Sequence, residues 1–331
     1  MGLNKNSSFV LLLLLNGNTS AAEISKLMNN LDIRTVQRAL SRLTDLGLAI
    51  KSGARNNPSY KVQFENLLVA TIPDKILEDE GRPETSFNHA LIGWLKNVDT
   101  SKLERYLGYT LGGDKLLSAP NRMSAKELEY LTIELSWKSS ALEGNTYTLL
   151  DTQLLLIEGI KAKNRTEFET QMILNHKDTI GFIVENSELF HKDIKFSTVE
   201  ELHRIIGKNL GIANGVRKKP VKISASNYTP LANPHQLREF ADSTLEIINQ
   251  ATNPTLKSLL ALSLIPYLQL FEDGNKRTGR MLANAILIST VGLGFSLRKV
   301  SARKLALAYL DFYEFNSLLS LSKILDLELI R

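Results

Sequence analysis

The run from Leu256 to Leu270 constrains this chain most, because it is apolar on nearly every helical face and is cut short by Asp273-Gly274-Asn275. A helix that is apolar all round belongs inside a core, so the chain must build a largely helical body around it. Met281 to Leu287 resumes the apolar pattern, which places a second helix directly after the turn. The first amides of that helix point back at the turn, where unpaired N–H groups and the helix dipole favour an anion. Lys276, Arg277 and Arg280 add three cations, and Arg277 and Arg280, three apart, share one helix face. Asp273 offers an oxygen ligand to Mg²⁺, an ion that keeps several waters and binds through one or two carboxylates plus phosphates. A turn of this kind is suited to polyphosphate.

The segment Gln269-Leu270-Phe271-Glu272-Asp273-Gly274-Asn275-Lys276-Arg277-Thr278-Gly279-Arg280 resembles the Fic motif, H-P-F-x-[DE]-G-N-[GK]-R-x-x-R, of the Fido superfamily. The resemblance implies a mainly α fold, an all-helical core with a short β-hairpin flap, and transfer of AMP from ATP to a protein hydroxyl. It assigns Gly274, Asn275, Lys276, Arg277 and Arg280 to nucleotide binding and Asp273 to Mg²⁺. Gln269 and Leu270 depart from the pattern. Gln269 stands where the family has the histidine that takes the target's hydroxyl proton, and an amide does not titrate near neutral pH. Loss of a general base removes a factor of about 10²–10⁴ in rate. The expected product is a nucleotide-binding domain with impaired or absent transfer; the alternative is an adenylyltransferase working by positioning or through another base.

Two further elements carry the same resemblance. Ser139-Ser140-Ala141-Leu142-Glu143-Gly144-Asn145 fits [ST]-x-x-x-E-[GN], the family's inhibitory helix motif. It implies that Ser139, Glu143 and Gly144 form an inhibitory element in which Glu143 pairs with Arg280. A carboxylate and a phosphate compete for the same guanidinium fork. Gly215-Val216-Arg217, Val221-Lys222-Ile223 and Tyr228-Thr229-Pro230 resemble the flap, where an extended target segment docks. Val221 to Ile223 alternates like an edge strand, bracketed by Pro220 and Pro230, so residues 220–231 are the expected seat of a target protein.

The first sixty residues read differently. Through Val62 there are eight cations against three anions, a net of five, and the whole chain also carries +5, so everything after Val62 is neutral. Confined positive charge is the footprint of a nucleic-acid-binding module. Phe9 to Leu15 makes a first helix, Ser20-Ala21-Ala22-Glu23 is a capping box for a second, and Asp32 caps a third. The third helix places Ile33, Val36, Ala39, Leu40, Leu43 and Leu46 inward, and Arg34, Thr35, Gln37, Arg38, Ser41 and Arg42 outward. Leu48 to Lys51 and Ser59 to Val62 are expected strands around a Gly53 to Pro58 turn carrying Arg55. The pattern resembles a small α+β winged helix-turn-helix, which implies that those outward residues and Arg55 contact double-stranded DNA. Dimerisation or packing is the other use of such a fold.

With 331 residues and 43% hydrophobic content the chain is long enough for two units with real cores. We expect a winged domain over 1–65, a helical linker over 66–120 and a Fic-like domain with its inhibitory helix over 121–331. Zero cysteines exclude disulfides and thiolate metal sites. The five histidines lack metal-binding spacing and are expected to pack or face solvent. Phe9 to Leu15 is too short to span a bilayer and is absorbed by the first helix. The reading is therefore a cytoplasmic, non-membrane, homodimeric regulator whose ligands are DNA and ATP, with Mg²⁺ as the ion.

Overall fold

In a computed structural model, residues 2–28, 31–107 and 123–329 are described. The end of the expected linker (108–120), the first two positions of the expected Fic-like region (121–122) and the last two residues (330–331) lie outside them. The chain is mainly helical, with a small two-stranded antiparallel sheet. It divides into two compact units, one of Met1–Val98, Val221–Pro230 and Ala306–Leu321, the other of Asp99–Pro220, Leu231–Leu305 and Ser322–Arg331. Residues 66–98, expected in a linker, thus belong to the same unit as the first 65.

In the first unit, α1 (Lys5–Leu15), α2 (Ala21–Leu27) and α3 (Ile33–Asp45) precede a hairpin of β1 (Ala49–Ala54) and β2 (Asn57–Val62). The caps are the ones the sequence advertises. Ser20 accepts from the Glu23 amide while Glu23 accepts from the Ser20 amide, and Asp32 accepts from the Thr35 amide at 2.9 Å. Leu11, Ile24, Val36, Leu40, Leu43 and Tyr60 pack into one core, joined by Leu307, Leu310 and Phe315. The register runs from Ala49↔Val62 to Ala54↔Asn57, so the strands are longer than expected and Arg55-Asn56 alone turns the chain. A longer hairpin satisfies more backbone groups than an open loop over Gly53 to Pro58 would.

After α4 (Phe64–Leu67) and α5 (Asp74–Leu77), β3 (Thr85–Ser86) leads to α6 (His89–Asn97), capped by Asn88. β3 pairs in parallel with β4 (Tyr228–Thr229). The expected edge strand at Val221 to Ile223 is not formed; those residues lead into a turn at Ser224-Ala225. A buried acid explains why the segment is held as a turn. Glu314 accepts from the Ser226 hydroxyl and the Asn227 amide, both at 2.9 Å, and pairs with Arg82, which also donates to the Ala225 carbonyl.

The second unit holds α7 (Thr100–Leu107), α8 (Ala125–Ala141), α9 (Leu149–Glu158), α10 (Glu167–Glu185), α11 (Phe196–Gly207), α12 (Pro234–Gln250), α13 (Pro254–Leu268) and α14 (Asn275–Val291). Every residue of α13 from Thr255 to Leu268 is buried, as its unbroken apolarity requires. Asn253 caps it and Pro254 fills its first position, where a missing N–H costs nothing. α14 packs closely on it: a Cβ at Gly279 would lie 2.8 Å from the Pro266 ring. No described helix is long and apolar enough to cross a membrane.

Candidate functional site

The turn between α13 and α14 is fixed by buried hydrogen bonds. Gln269 closes α13 in the left-handed region, at φ 49°, and Gly274 takes φ 80° to open α14. The Asn275 side chain accepts from the Phe271 amide at 2.9 Å and donates to the Phe271 carbonyl at 2.8 Å. It also donates to Gln269 Oε1 at 3.2 Å, and Gln269 Nε2 donates to the Pro266 carbonyl at 2.6 Å. Both ends of the Gln269 amide are therefore used within the turn. Arg217, buried, stitches the turn from outside: its Nε donates to the Gln269 carbonyl at 2.6 Å and its amide to the Leu270 carbonyl at 3.0 Å, while its other guanidinium nitrogens reach the Lys219 and Leu231 carbonyls.

Arg277 and Asp273 meet at 2.9 Å, but their settings differ. The Asp273 side chain is 67% exposed, whereas that of Arg277 is 3% exposed, and its Nε and Nη1 meet no hydrogen-bond acceptor among the described residues. A buried donor left bare costs about 1–3 kcal/mol, so such a group is explained by a ligand or water that completes it. The amides opening α14 have no side-chain cap, since Gly274 supplies none. Lys276 is half-buried beside them. Uncapped amides and a guanidinium with open donors at one helix start make an anion seat.

Arg280, three residues on, is differently engaged. Its Nε donates to Ser139 Oγ at 3.0 Å, and its Nη2 to the Ser139 carbonyl at 3.2 Å and to Glu143 Oε1 at 2.6 Å. Burial pushes the Glu143 carboxyl up, but the facing Arg280 outweighs it, with Arg277 and Lys276 adding to the effect, and the acid sits below its ordinary range. Gly144, at φ 89°, turns the chain away just after this acid. The structure brings Ser139 and Glu143 together on Arg280.

Sequence reasoning missed two residues here. His203 of α11 stacks on Phe271 with ring centroids 3.7 Å apart and 10° between planes, and its Nε2 donates to the Asp273 carbonyl at 3.0 Å. Burial lowers its pKa, the Asp273 bond opposes this, and Arg277 adds to the lowering. Arg217 was visible only as part of a flap-like string. Neither carries a local signal, because each acts on a turn more than fifty residues away in sequence.

The polar face of α3 lies in the other unit. Arg34, Gln37, Arg38 and Ser41 are exposed. Gln37 and Ser41 join Arg55, Lys51, Asn57 and Tyr60 around a groove of about 440 Å³ between α3 and the hairpin. Two expected contacts are occupied otherwise: the Thr35 hydroxyl donates to Asp32 at 3.1 Å, and Arg42 donates to the Gly2 carbonyl. Ile33, expected in the core, is 45% exposed and lines the groove. As the first helical residue it precedes the turn that packs, so its side chain clears the core.

Residues 193–287 match the model of the Fic/DOC family. The chain is 27% identical over 176 residues to the protein adenylyltransferase Fic of Nematostella vectensis, covering 52% of this chain and 40% of that protein. It is 25% identical over 154 residues to protein adenylyltransferase fic-1 of Caenorhabditis briggsae, covering 45% of this chain and 30% of that one. Fic-1 (residues 134–508) of C. elegans has a similar fold, with TM-score 0.53, 17% identity, and 73% and 71% of the two chains covered. A Fic domain containing signaling protein from Bacteroides thetaiotaomicron gives TM-score 0.52, 21% identity, and 69% and 92% coverage. Residues 193–287 are therefore a Fic/DOC domain, the fold is similar to that of these two structures, and the chain spans less than half the length of the curated relatives it matches.

Proposed function

We propose that this protein is a DNA-binding regulator whose Fic-like domain binds ATP or a related nucleotide, with AMP transfer impaired or absent. The carrying observation is the Arg277 guanidinium, buried with Nε and Nη1 lacking an acceptor among the described residues, at an uncapped helix start. Phosphate oxygens are the chemistry that completes it. Gly274, Asn275 and Lys276 shape the rest of the seat, and Arg280 joins once Glu143 withdraws. Asp273, whose carboxylate is largely exposed and paired on one side with Arg277, would be the one carboxylate of a Mg²⁺ ion otherwise held by phosphates and water. Such an ion would neutralise phosphate charge.

Impairment follows from Gln269. Its amide is committed to the Pro266 carbonyl and to Asn275, and it has no proton affinity to offer a hydroxyl. DNA recognition is assigned to a winged helix-turn-helix over 1–65, with a helical linker over 66–120 and the Fic-like domain with its inhibitory helix over 121–331. The confined charge and the groove between α3 and the hairpin support this assignment. Action as a homodimer in the cytoplasm, with a target protein at residues 220–231, completes the proposal.

A second reading is an adenylyltransferase autoinhibited by Glu143. The 2.6 Å contact between Glu143 and Arg280 favours it, since an inhibitory contact implies an activity to restrain. Isothermal titration with Mg²⁺ and ATP tests the shared premise: binding should strengthen at least tenfold in Glu143→Gly and weaken about tenfold or more in Arg277→Ala, the size of one or two charge-assisted hydrogen bonds. No heat from either the parent or Glu143→Gly would refute nucleotide binding and leave a dimerising role for the domain.

A further inference from the structure

The contact between Glu143 and Arg280 continues one layer deeper, to His176 of α10. His176 is fully buried, with Nδ1 2.8 Å from the Met172 carbonyl and Nε2 2.9 Å from Ser139 Oγ. A carbonyl only accepts, so Nδ1 carries the proton and Nε2 presents a lone pair. The Ser140 hydroxyl, 3.3 Å from Nδ1, is a weaker second partner of the same proton. Ser139 then has one place for its hydroxyl proton, Nε2. Its oxygen lone pairs are left to accept Arg280 Nε–H at 3.0 Å, because a guanidinium only donates. Every proton direction in the chain is fixed: Arg280 donates to Ser139, Ser139 to His176, and His176 to the Met172 carbonyl.

We propose that His176 is a positioning residue of the inhibitory latch. By taking the Ser139 proton it turns the hydroxyl oxygen toward Arg280 and holds that guanidinium against α8, where Glu143 closes on it and a phosphate cannot. Burial lowers the imidazole pKa to about 3, with the Met172 bond opposing and Arg277 and Arg280 assisting, so His176 stays neutral and accepting at ordinary pH. The sequence marks Ser139 and Glu143 as a pair at the end of α8 and in the turn after it; the third member comes from another helix. The consequence for ligand binding rests on the nucleotide reading, whereas the latch itself does not.

Two measurements separate those layers. Hydrogen exchange without nucleotide should show residues 139–144 opening faster in His176→Phe, which has no acceptor, and in Ser139→Ala, with His176→Gln, which keeps an acceptor, at the parent rate. Titration with Mg²⁺ and ATP should show His176→Phe binding about three- to tenfold more tightly than the parent, the worth of about one hydrogen bond. Added to Glu143→Gly it should gain nothing, because both act on one latch. Unaltered exchange in both His176→Phe and Ser139→Ala overturns the proposal, as does an affinity gain that adds fully to that of Glu143→Gly. Faster exchange in a protein that binds no ATP would leave the latch standing and remove the nucleotide reading. Ser139→Ala provides the same test should His176→Phe fail to fold.

Discussion

Two polar surfaces of this molecule are built on opposite principles. Around residues 269–280 the side chains of Gln269, Asn275 and Arg280 are buried on assigned partners, while Arg277 Nε and Nη1 and the Thr278 hydroxyl are buried without one among the described residues. On α3 and the β1–β2 hairpin, Arg34, Gln37, Arg38 and Ser41 stand in solvent, free to adjust to whatever they meet. A buried site declares its ligand by what is missing from its hydrogen bonds, while an exposed one declares it only through net charge and shape. The first should respond to single substitutions in an all-or-none way, the second by degrees.

The largest expected effect belongs to the buried site. Gln269→His combined with Glu143→Gly should restore the base and the phosphate seat together, and labelled AMP transfer to itself or to lysate proteins should rise about 10²–10⁴-fold over the parent. Strong labelling by the unaltered chain would instead place the base elsewhere and favour the enzyme reading. For the exposed surface, affinity for a selected two-fold-symmetric DNA site should fall about 10²–10³-fold between 50 and 200 mM salt, as expected for about five phosphate contacts in all. A flat salt response would remove DNA from the account. Arg38→Ala should cost about 1–3 kcal/mol of specific binding and relax one base position, measured by selection from a random pool. Thr35→Ala and Arg42→Ala should matter less, since both side chains are engaged within the unit.

Stability sharpens the contrast. Gly279→Ala should destabilise the Fic-like unit by about 1–3 kcal/mol in denaturant unfolding, because the new methyl would meet the Pro266 ring. An exposed change such as Gln37→Ala should leave unfolding within about 0.5 kcal/mol. The smallest effect is electrostatic. Glu169 accepts from the Thr146 hydroxyl and from the Thr166 and Thr146 amides, which lower its pKa from 4.5 to about 2. A depressed carboxylate contributes stability that is fully present above pH 4.5 and lost as pH falls towards 2. Glu169→Gln should therefore narrow the difference in stability between pH 5 and pH 2.5, and an unchanged difference would show that these bonds persist in the acid.

The sequence was most legible where chemistry is local. An all-apolar α13, a Gly turn and two arginines three apart define one buried loop, and the caps at Ser20, Asp32 and Asn253 mark helix starts by short-range bonds. Contacts made at long range were not legible. His203 stacks on Phe271 and Arg217 holds Gln269 from distant segments, and neither position differs from an ordinary polar residue within its own stretch. Val221 to Ile223 alternates as a strand would, but Glu314, far along the chain, holds the neighbouring residues as a turn. Ile33 fits the inward periodicity of α3, yet end position outweighs periodicity, because the first residue of a helix lies beyond the surface that packs. Gln269 was legible as a departure from the motif but not as a hydrogen-bonding strut.

Everything said of the buried site turns on the division between its two arginines, Arg277 with donors open and Arg280 held by Ser139 and Glu143. A crystal structure of the Glu143→Gly protein soaked with Mg²⁺ and a non-hydrolysable ATP analogue measures that division directly. The account predicts phosphate oxygens within hydrogen-bond distance of Arg277 Nε or Nη1 and of Arg280, at the start of α14. A nucleotide bound elsewhere, or an Arg277 completed by water alone at saturating ligand, would contradict it.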